Sequence, residues 1–182
     1  TELPEEIFEN LHDLQTLFLK KNALKTLPEQ IFEDLFNLEK LDLSDNELDD
    51  VDAMPSSLKN LEILNLENNA IRIINEGAFS NLILLEELNL AQNQIKHIQQ
   101  LAFVNNYRLR AIDLSRNGYN GQGNIFKNLM FLQNLNLSYN LITNIEGLIT
   151  LRHKPLMEVL DLRKNLISNL SVSVIDCIFF SN

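Results

Sequence analysis

The chain has 182 residues, of which 36 are leucine and 25 are asparagine, and 45% of it is hydrophobic. A chain of this composition buries a core, which excludes general disorder, and no run of eighteen apolar residues is present that would cross a membrane. The net charge of −10 argues against nucleic acid as a partner, and the single cysteine, Cys177, excludes an internal disulfide framework and a cysteine-based zinc site.

A repeated pattern of leucine and asparagine runs through the chain. The segment from Leu14 to Asn22 has the form Leu-x-x-Leu-x-Leu-x-x-Asn, and this form returns six times, with Ile112 and Met157 each replacing a leucine. The seven copies end at the anchor asparagines Asn22, Asn46, Asn69, Asn93, Asn117, Asn140 and Asn165. Because these asparagines are 23 to 25 positions apart, each copy is one structural repeat.

The pattern resembles the leucine-rich repeat family from one end of the chain to the other. Each anchor asparagine is followed by apolar residues at recurring positions, such as Leu24, Leu27, Phe32 and Leu35. A repeat of about 24 residues with a phenylalanine ten positions after the asparagine is similar to the extracellular subtype, which includes Toll and Toll-like receptor ectodomains. The resemblance implies an α/β fold: a right-handed solenoid, or horseshoe, with a concave parallel sheet of about seven strands and mostly irregular or short helical convex segments.

The physics of the repeat favours the same fold. In Leu-x-Leu, both leucines point to one face of a strand and the middle residue points to solvent. One coil cannot cover its own leucines, so stacked coils build a continuous core. We expect Phe32, Phe79, Phe103 and Phe126 to stack as a ladder of rings inside the convex side. The anchor asparagines are predicted to be structural, because an amide both donates and accepts hydrogen bonds and can tie each turn to its neighbours.

The whole chain, 1–182, is predicted to be a single solenoid. Residues 1–13 match the tail of a truncated repeat, 14–170 hold the seven repeats, and 171–182 end the last repeat without a cysteine-rich cap. Solenoids need polar caps at their ends. We therefore expect the chain to be part of a longer ectodomain, and its uncapped ends to promote self-association.

Two repeats depart from the pattern. In the fifth repeat, the glycine-rich segment 117–124 places Tyr119 and Gln122 where apolar residues are expected. Two interpretations are open: a looser turn with polar residues in the inner layer, or a protruding loop that contacts a partner. In the sixth repeat, the leucines are respaced around His153, which predicts a local change of curvature.

The residue combinations needed for catalysis are absent from the sequence, so neither an enzyme nor a cofactor is predicted. His12, His97 and His153 lie in different repeats, with no nucleophile at a fixed offset from any of them. Six carboxylates lie between Asp42 and Asp52, but this run contains no glycine and spans a strand and a turn. It predicts a solvated acidic patch, with a docking surface for a basic partner as the alternative, rather than a calcium or other metal site.

Two Asn-x-Ser sequons occur, at Asn136 and Asn169. Asn136 lies at the centre of a predicted strand, where asparagine is ordinary for the family. Asn169 lies on a return segment and is the better glycosylation acceptor if the protein is secreted. A glycan at Asn169 would therefore distinguish a secreted protein from a cytoplasmic one.

The solvent side of the predicted sheet presents ladders of exposed side chains. Its charge changes from acidic in the second and third repeats to basic in the fifth to seventh, and residues 1–52 alone carry 15 acidic and 4 basic side chains. Small molecules prefer deep apolar pockets, and an open sheet of Asn, Asp, Ser and Lys is expected to offer none. Arg116 and Tyr139 are the strongest candidate anchors, because arginine and tyrosine are enriched at interfaces.

The predicted ligand-binding residues share one property, a side chain on this concave face. They are Asn65, Glu67, Asn89, Gln92, Asp113, Arg116, Asn136, Tyr139, Asp161 and Arg163. The ladder that follows the strand centres is also expected to expose Ser44, Ala91, Ser115 and Ser138.

The sequence therefore predicts a protein-binding module. The resemblance implies part of an extracellular receptor or adhesion ectodomain of Toll-like type, a secreted or membrane-attached glycoprotein of innate immune signalling, with a protein ligand or co-receptor on its concave face. The alternative is an intracellular, cytoplasmic scaffold or regulatory subunit, because a single cysteine and missing cysteine caps are equally normal in a reducing compartment. Neither nucleic acid nor direct membrane insertion of this chain is expected.

Overall fold

The described part of the chain contains nine short strands, one or two per repeat. The computed structural model describes residues 3–51, 54–145, 148, 151 and 154–168. The strands are β1 (Thr16–Phe18), β2 (Lys40–Asp42), β3 (Ile63–Asn65), β4 (Ile73–Ile74), β5 (Glu87–Asn89), β6 (His97–Ile98), β7 (Ala111–Asp113), β8 (Asn134–Asn136) and β9 (Val159–Asp161).

Seven of these strands form one parallel sheet along the concave side. Their order is β1-β2-β3-β5-β7-β8-β9, which follows the order of the repeats. The middle residue of each strand, a leucine or Ile112, pairs with the middle residue of the next strand. The predicted solenoid with a concave parallel sheet of seven strands is therefore confirmed.

The core is a stack of leucine layers behind this sheet. In the fourth repeat Leu85, Leu88 and Leu90 are all buried, as the spacing of Leu-x-x-Leu-x-Leu requires when every second side chain of a strand points inward. At the outer strands Leu17 and Leu160 are only partly buried, because each packs against one neighbouring strand instead of two.

The convex side is mostly irregular, as predicted, and it includes short 3-10 helices at Glu5–Phe8 and Ser56–Asn60. A second, two-stranded parallel sheet, β4 with β6, was not expected. It forms because the return segments of the third and fourth repeats place the buried isoleucines Ile74 and Ile98 in the same position, and β-branched side chains favour extended backbone.

The phenylalanine ladder is discontinuous. The four predicted phenylalanines are buried, but stacking is seen for Phe79 on Phe103, with ring centroids 5.9 Å apart, and for Phe8 on Phe32 at 6.3 Å. Between these pairs the return segment of the second repeat carries Ser57, whose hydroxyl donates to the carbonyl oxygen of Phe32 at 2.7 Å. The four rings are therefore inside the convex side as predicted, but they stack in pairs and not as one ladder, and Ser57 accounts for the break between Phe32 and Phe79.

The glycine-rich segment of the fifth repeat packs against its neighbour. Tyr119 is 1% exposed, and its hydroxyl donates to the carbonyl oxygen of Gln122 at 2.7 Å. Gly121 is buried at φ +82°, and a Cβ atom there would lie 2.9 Å from Cγ2 of Ile142. The inner layer is filled by the tyrosine ring, and glycine is needed where the sixth repeat approaches.

The buried phenol makes stability depend on pH. Burial raises the pKa of Tyr119 well above its usual value of about 10. Above about pH 10 the unfolded chain releases this proton and the folded chain keeps it, so the free energy of unfolding falls as pH rises, by up to about 1.4 kcal/mol at pH 11. Tyr119→Phe should remove that fall while costing about 1 kcal/mol at pH 8 for the lost hydrogen bond. Urea unfolding at pH 8 and pH 11 tests this, and an equal loss in both proteins would contradict it.

Two polar residues occupy positions where most repeats bury a leucine. Asn106 donates to the carbonyl oxygens of Phe79 and Leu82 at 2.8 and 2.9 Å. The ammonium group of Lys154 donates to the carbonyl oxygen of Lys127 at 2.7 Å, and burial lowers the pKa of Lys154. Both side chains thus bind backbone of the preceding turn, which the sequence pattern did not reveal.

Candidate binding face

The anchor asparagines hold the ends of the strands together. The side-chain amide of Asn93 donates to the carbonyl oxygens of Leu66 and Leu90 at 2.9 and 3.1 Å, and its oxygen accepts from the backbone N–H of Ile71 at 3.1 Å. The same bonds recur at the other buried or partly buried anchors. The predicted structural role of these residues is confirmed.

The last residue of each strand in the seven-stranded sheet also supports the turn that follows it. From the second repeat to the seventh, its Oδ1 accepts the backbone N–H of the residue two positions later, at 2.8 to 3.1 Å. The acceptors are Asp42, Asn65, Asn89, Asp113, Asn136 and Asp161. Asp and Asn share this position because both carry the required acceptor, so one side-chain atom of each residue is committed to its own turn.

The remaining atoms link neighbouring strands in two places. Glu67 accepts from the amides of Asn89 at 3.3 Å and Gln92 at 2.5 Å, and Asn136 donates to Oδ2 of Asp113 at 2.9 Å. The nitrogen of Asn136 is the atom that a glycan would occupy. This bond therefore agrees with the expectation that the Asn136 sequon is unused.

Arg116 and Tyr139 lie together at the exit of β7 and β8. Both residues have a left-handed backbone, with φ 55° and 56°, as does the corresponding residue of every complete repeat, which turns these side chains outward. The guanidinium carbon of Arg116 lies 4.4 Å from the centroid of the Tyr139 ring, a cation–π distance. The two predicted anchors thus form one exposed, preassembled pair.

Arg163 is less free than the sequence suggested. Its guanidinium binds both carboxylate oxygens of Asp161, with the shortest contact at 2.6 Å. The hydrogen bond from Arg163 lowers the pKa of Asp161, and the same contact raises the pKa of Arg163. The positive charge of Arg163 is therefore compensated in its own turn, which weakens the predicted basic end of the concave face.

Four residues expected on this face are buried. They are Ser44, Ala91, Ser115 and Ser138. The strict alternation of a strand ends here because the chain bends, and the hydroxyls of Ser44 and Ser138 donate back to Asp42 and Asn136 at 2.6 and 2.8 Å. Only longer side chains in this ladder, such as Glu67, reach the surface.

A shallow open trough of about 400 Å³ runs over the strands. Its lining includes the apolar residues Phe18, Ile63, Ala111 and Val159, so the expectation of a purely polar sheet is wrong. Phe18 is 63% exposed, and the ammonium group of Lys40 lies 5.8 Å from its ring centroid. The ladder that precedes the middle leucine was not predicted, although the alternation of strand residues indicates that these side chains also face outward.

The carboxylates of the acidic patch engage separate partners. Asp45 accepts from the amide of Asn68 at 2.6 Å and lies 3.4 Å from the ammonium group of Lys20, and these contacts lower the pKa of Asp45. Glu47 lies 3.7 Å from Lys25. The side chains thus diverge, as expected for a solvated patch.

Several predicted features lie outside the described residues, namely Asp52, His153, Asn169, Cys177 and the C-terminal edge. Within the described ranges, no helix has the length and apolar character needed to cross a bilayer.

Comparisons with known proteins agree with this geometry. A family model for leucine rich repeats matches residues 1–48 and 50–95, more than half of the chain, and a second such model matches residues 37–61. No curated protein sequence matches the chain.

Among solved structures, a chain of the Drosophila Toll–Spatzle complex is similar to this one, with a TM-score of 0.71, 34% identity, and coverage of 78% of this chain and 21% of that one. The leucine-rich repeat protein LIC12759 of Leptospira interrogans has a TM-score of 0.71, 26% identity, and coverage of 96% and 49%. The APL1 leucine-rich repeat domain shares the fold, with a TM-score of 0.70, 22% identity, and coverage of 79% and 38%. The chain thus spans between a fifth and a half of the proteins it is similar to.

Proposed function

Because the chain belongs to the leucine-rich repeat family, whose repeats form a protein-binding fold, we propose that it is a recognition segment of a Toll-like receptor or adhesion ectodomain. It binds a protein ligand or co-receptor outside the cell through its concave face. The Drosophila Toll–Spatzle complex, described as a hub in development and innate immunity, supports this assignment at 34% identity. Membership of a family of interaction modules also supports a role without catalysis.

The observation that carries the proposal is the preassembled Arg116–Tyr139 pair beside the open trough. An exposed ring and guanidinium already held 4.4 Å apart lose little conformational freedom on binding, which is the property of an effective anchor. The trough beside them offers apolar contacts around Ile63 and Ala111, and the acceptor Glu67 lies on the same face. This combination of apolar floor and polar rim is that of a protein interface.

Ten residues form the proposed contact set, of which Arg116 and Tyr139 are the anchors and Arg163 contributes less because of its pairing with Asp161. The others are Asn65, Glu67, Asn89, Gln92, Asp113 and Asn136, together with Asp161 itself. Asn169, which is close in sequence to this end of the sheet, is proposed as the glycosylated residue.

A capture experiment tests the proposal. The chain with Arg116→Ala and Tyr139→Ala should fold normally and should retain at most one tenth of the ligand bound by the wild type, since two central anchors contribute a large part of binding. The ligand is sought in extracellular fluid of the source by pull-down and mass spectrometry at two salt concentrations. The control is Arg72→Ala, an exposed arginine on the convex side. If the double variant and the control retain the same proteins, the concave face is not the binding surface.

A further inference from the structure

A stripe of exposed apolar side chains runs along the flank by which the chain approaches each strand, here called the leading flank. It is formed by the two residues that precede the first leucine of each repeat, and by Leu11 at one end. Its apolar members, each 43–53% exposed, are Leu11, Phe36, Ile83, Tyr107, Met130, Phe131 and Leu156. These side chains recur on one flank from repeat to repeat instead of being scattered singly over the surface, and a grouped apolar surface of this kind marks an interaction site.

The turns on this flank are held in register. The ring of His12 stacks on Phe36 at 5.5 Å, and the amide of Asn60 donates to the carbonyl oxygen of Phe36 at 2.8 Å. The amide of Asn37 donates in the same way to His12 at 3.0 Å. Because strands of a sheet are about 4.8 Å apart, seven repeats give the stripe a length of about 30 Å. The first three turns of this flank are thus tied to one another, and none of the residues that make these contacts lines the concave trough.

Charge changes sign along this flank. Six carboxylates and one lysine surround its N-terminal half, and the carboxylates are Asp13, Glu33, Asp34, Glu39, Glu62 and Glu86. Around the C-terminal half, the exposed charges among the described residues are Arg108, Arg110, Lys127 and Glu158. Arg110 lies 3.4 Å from Glu86 of the preceding repeat, so these two charges compensate each other within one chain. Asp13, Glu39 and Glu62 also line a hollow of about 300 Å³ together with Asn60 and Leu84. If two copies of the chain meet through this flank in opposite directions, the acidic half of one copy, with its hollow, lies against the basic half of the other, with its exposed arginines.

We propose that the leading flank binds a second copy of this chain in an antiparallel, two-fold symmetric dimer. With the two-fold axis at Ile83, the fourth repeat of one copy faces the fourth repeat of the other, and the third repeat of one copy faces the fifth repeat of the other. Arg108 of one copy then faces the hollow formed by Asn60 and Glu62 of the other. Lys59, which interrupts the apolar stripe, then faces Tyr107 and gains a cation–π partner.

The remaining apolar residues also meet each other in this arrangement. Phe36 of the second repeat faces Met130 and Phe131 of the sixth, and Leu11 faces Leu156. An interface of standard size takes roughly 800 Å² of surface from each partner, and the apolar stripe together with the charges beside it would form such a patch. A two-fold arrangement closes on itself and stops at two copies, and it leaves the concave face open to a ligand.

Sedimentation analysis of the 182-residue chain over a concentration series tests the proposal. The wild type should reach a dimer and grow no further. Ile83→Arg places two like charges on the axis and should raise the dimer dissociation constant at least tenfold. The matched control, Leu141→Arg, changes an equally exposed leucine on the opposite flank and should leave the dimer unchanged. Circular dichroism confirms that each variant is folded.

Charge reversal tests the orientation. Glu62→Arg alone and Arg108→Glu alone should each weaken the dimer, and the two together in one chain should restore it, because each hollow again faces an opposite charge. A monomer at every concentration overturns the proposal, as does a dimer insensitive to Ile83→Arg. Open-ended growth beyond two copies also overturns it, since stacking of solenoid ends would produce that result.

Discussion

Replacing Leu88 by alanine is expected to lower the free energy of unfolding by about 2 to 5 kcal/mol. Leu88 is the middle residue of β5, in the central strand of the sheet, and it is 2% exposed. Its neighbours Leu64 and Ile112, in β3 and β7, are equally buried. Removing the isobutyl group leaves a cavity between two layers that are held in register and cannot collapse fully.

The measurement is urea unfolding followed by circular dichroism, compared with Leu141→Ala. Leu141 is 49% exposed, so its truncation should change stability by about 0.5 kcal/mol or less. Because each turn of a solenoid contacts only its neighbours, hydrogen exchange in Leu88→Ala should increase most in the third to fifth repeats. Similar losses in Leu88→Ala and Leu141→Ala would contradict a leucine core that is continuous through the fourth repeat.

The sheet and its core could be predicted because one period determines both. A position such as Leu88 recurs every 23 to 25 residues, and a strand in each copy can bury its leucines only by pairing with the next. The anchor asparagines were predictable for the same reason, since a polar residue at a fixed position beside a buried turn must satisfy backbone groups. Features determined by the repeat as a whole therefore followed from the sequence.

Features determined by one particular neighbour did not follow from the sequence. The pairing of β4 with β6 depends on what the adjacent turn presents, and the ring ladder is interrupted because one turn carries Ser57. The burial of Ser44 depends on the bend after its strand, which a strand pattern does not describe. In the candidate site, the stacking of Arg116 on Tyr139 could not be predicted from the sequence, because it depends on the left-handed backbone at both residues.

The second large effect is expected at an anchor asparagine. Asn93→Ala should lower the free energy of unfolding by about 2 to 4 kcal/mol, because one buried N–H group loses its acceptor and three donor contacts disappear. The carbonyl oxygens of Leu66 and Leu90 keep the amides of Asn69 and Asn117 as partners. The backbone N–H of Ile71 depends on the oxygen of Asn93, so most of the loss comes from this group. Asn22→Ala is the control, because Asn22 is exposed and donates to Leu19 and Lys20 in its own turn, and it should cost about 1 kcal/mol or less.

The aspartate variant separates the accepting role of this side chain from its donating role. Asn93→Asp keeps an acceptor for the N–H of Ile71, but an ionised carboxylate would then face the carbonyl oxygens of Leu66 and Leu90. Burial and these oxygens disfavour the charged form, so the folded-state pKa of the new carboxyl must rise above the unfolded value of about 3.9. Stability is therefore lowest at neutral pH and increases as pH falls towards that value, where protonation restores a donor. The free energies of unfolding of Asn93→Asp and Asn93→Ala, plotted against pH between 4.5 and 7.5, should thus converge at the acidic end or cross. Parallel plots would show that the amide does not donate across the turns.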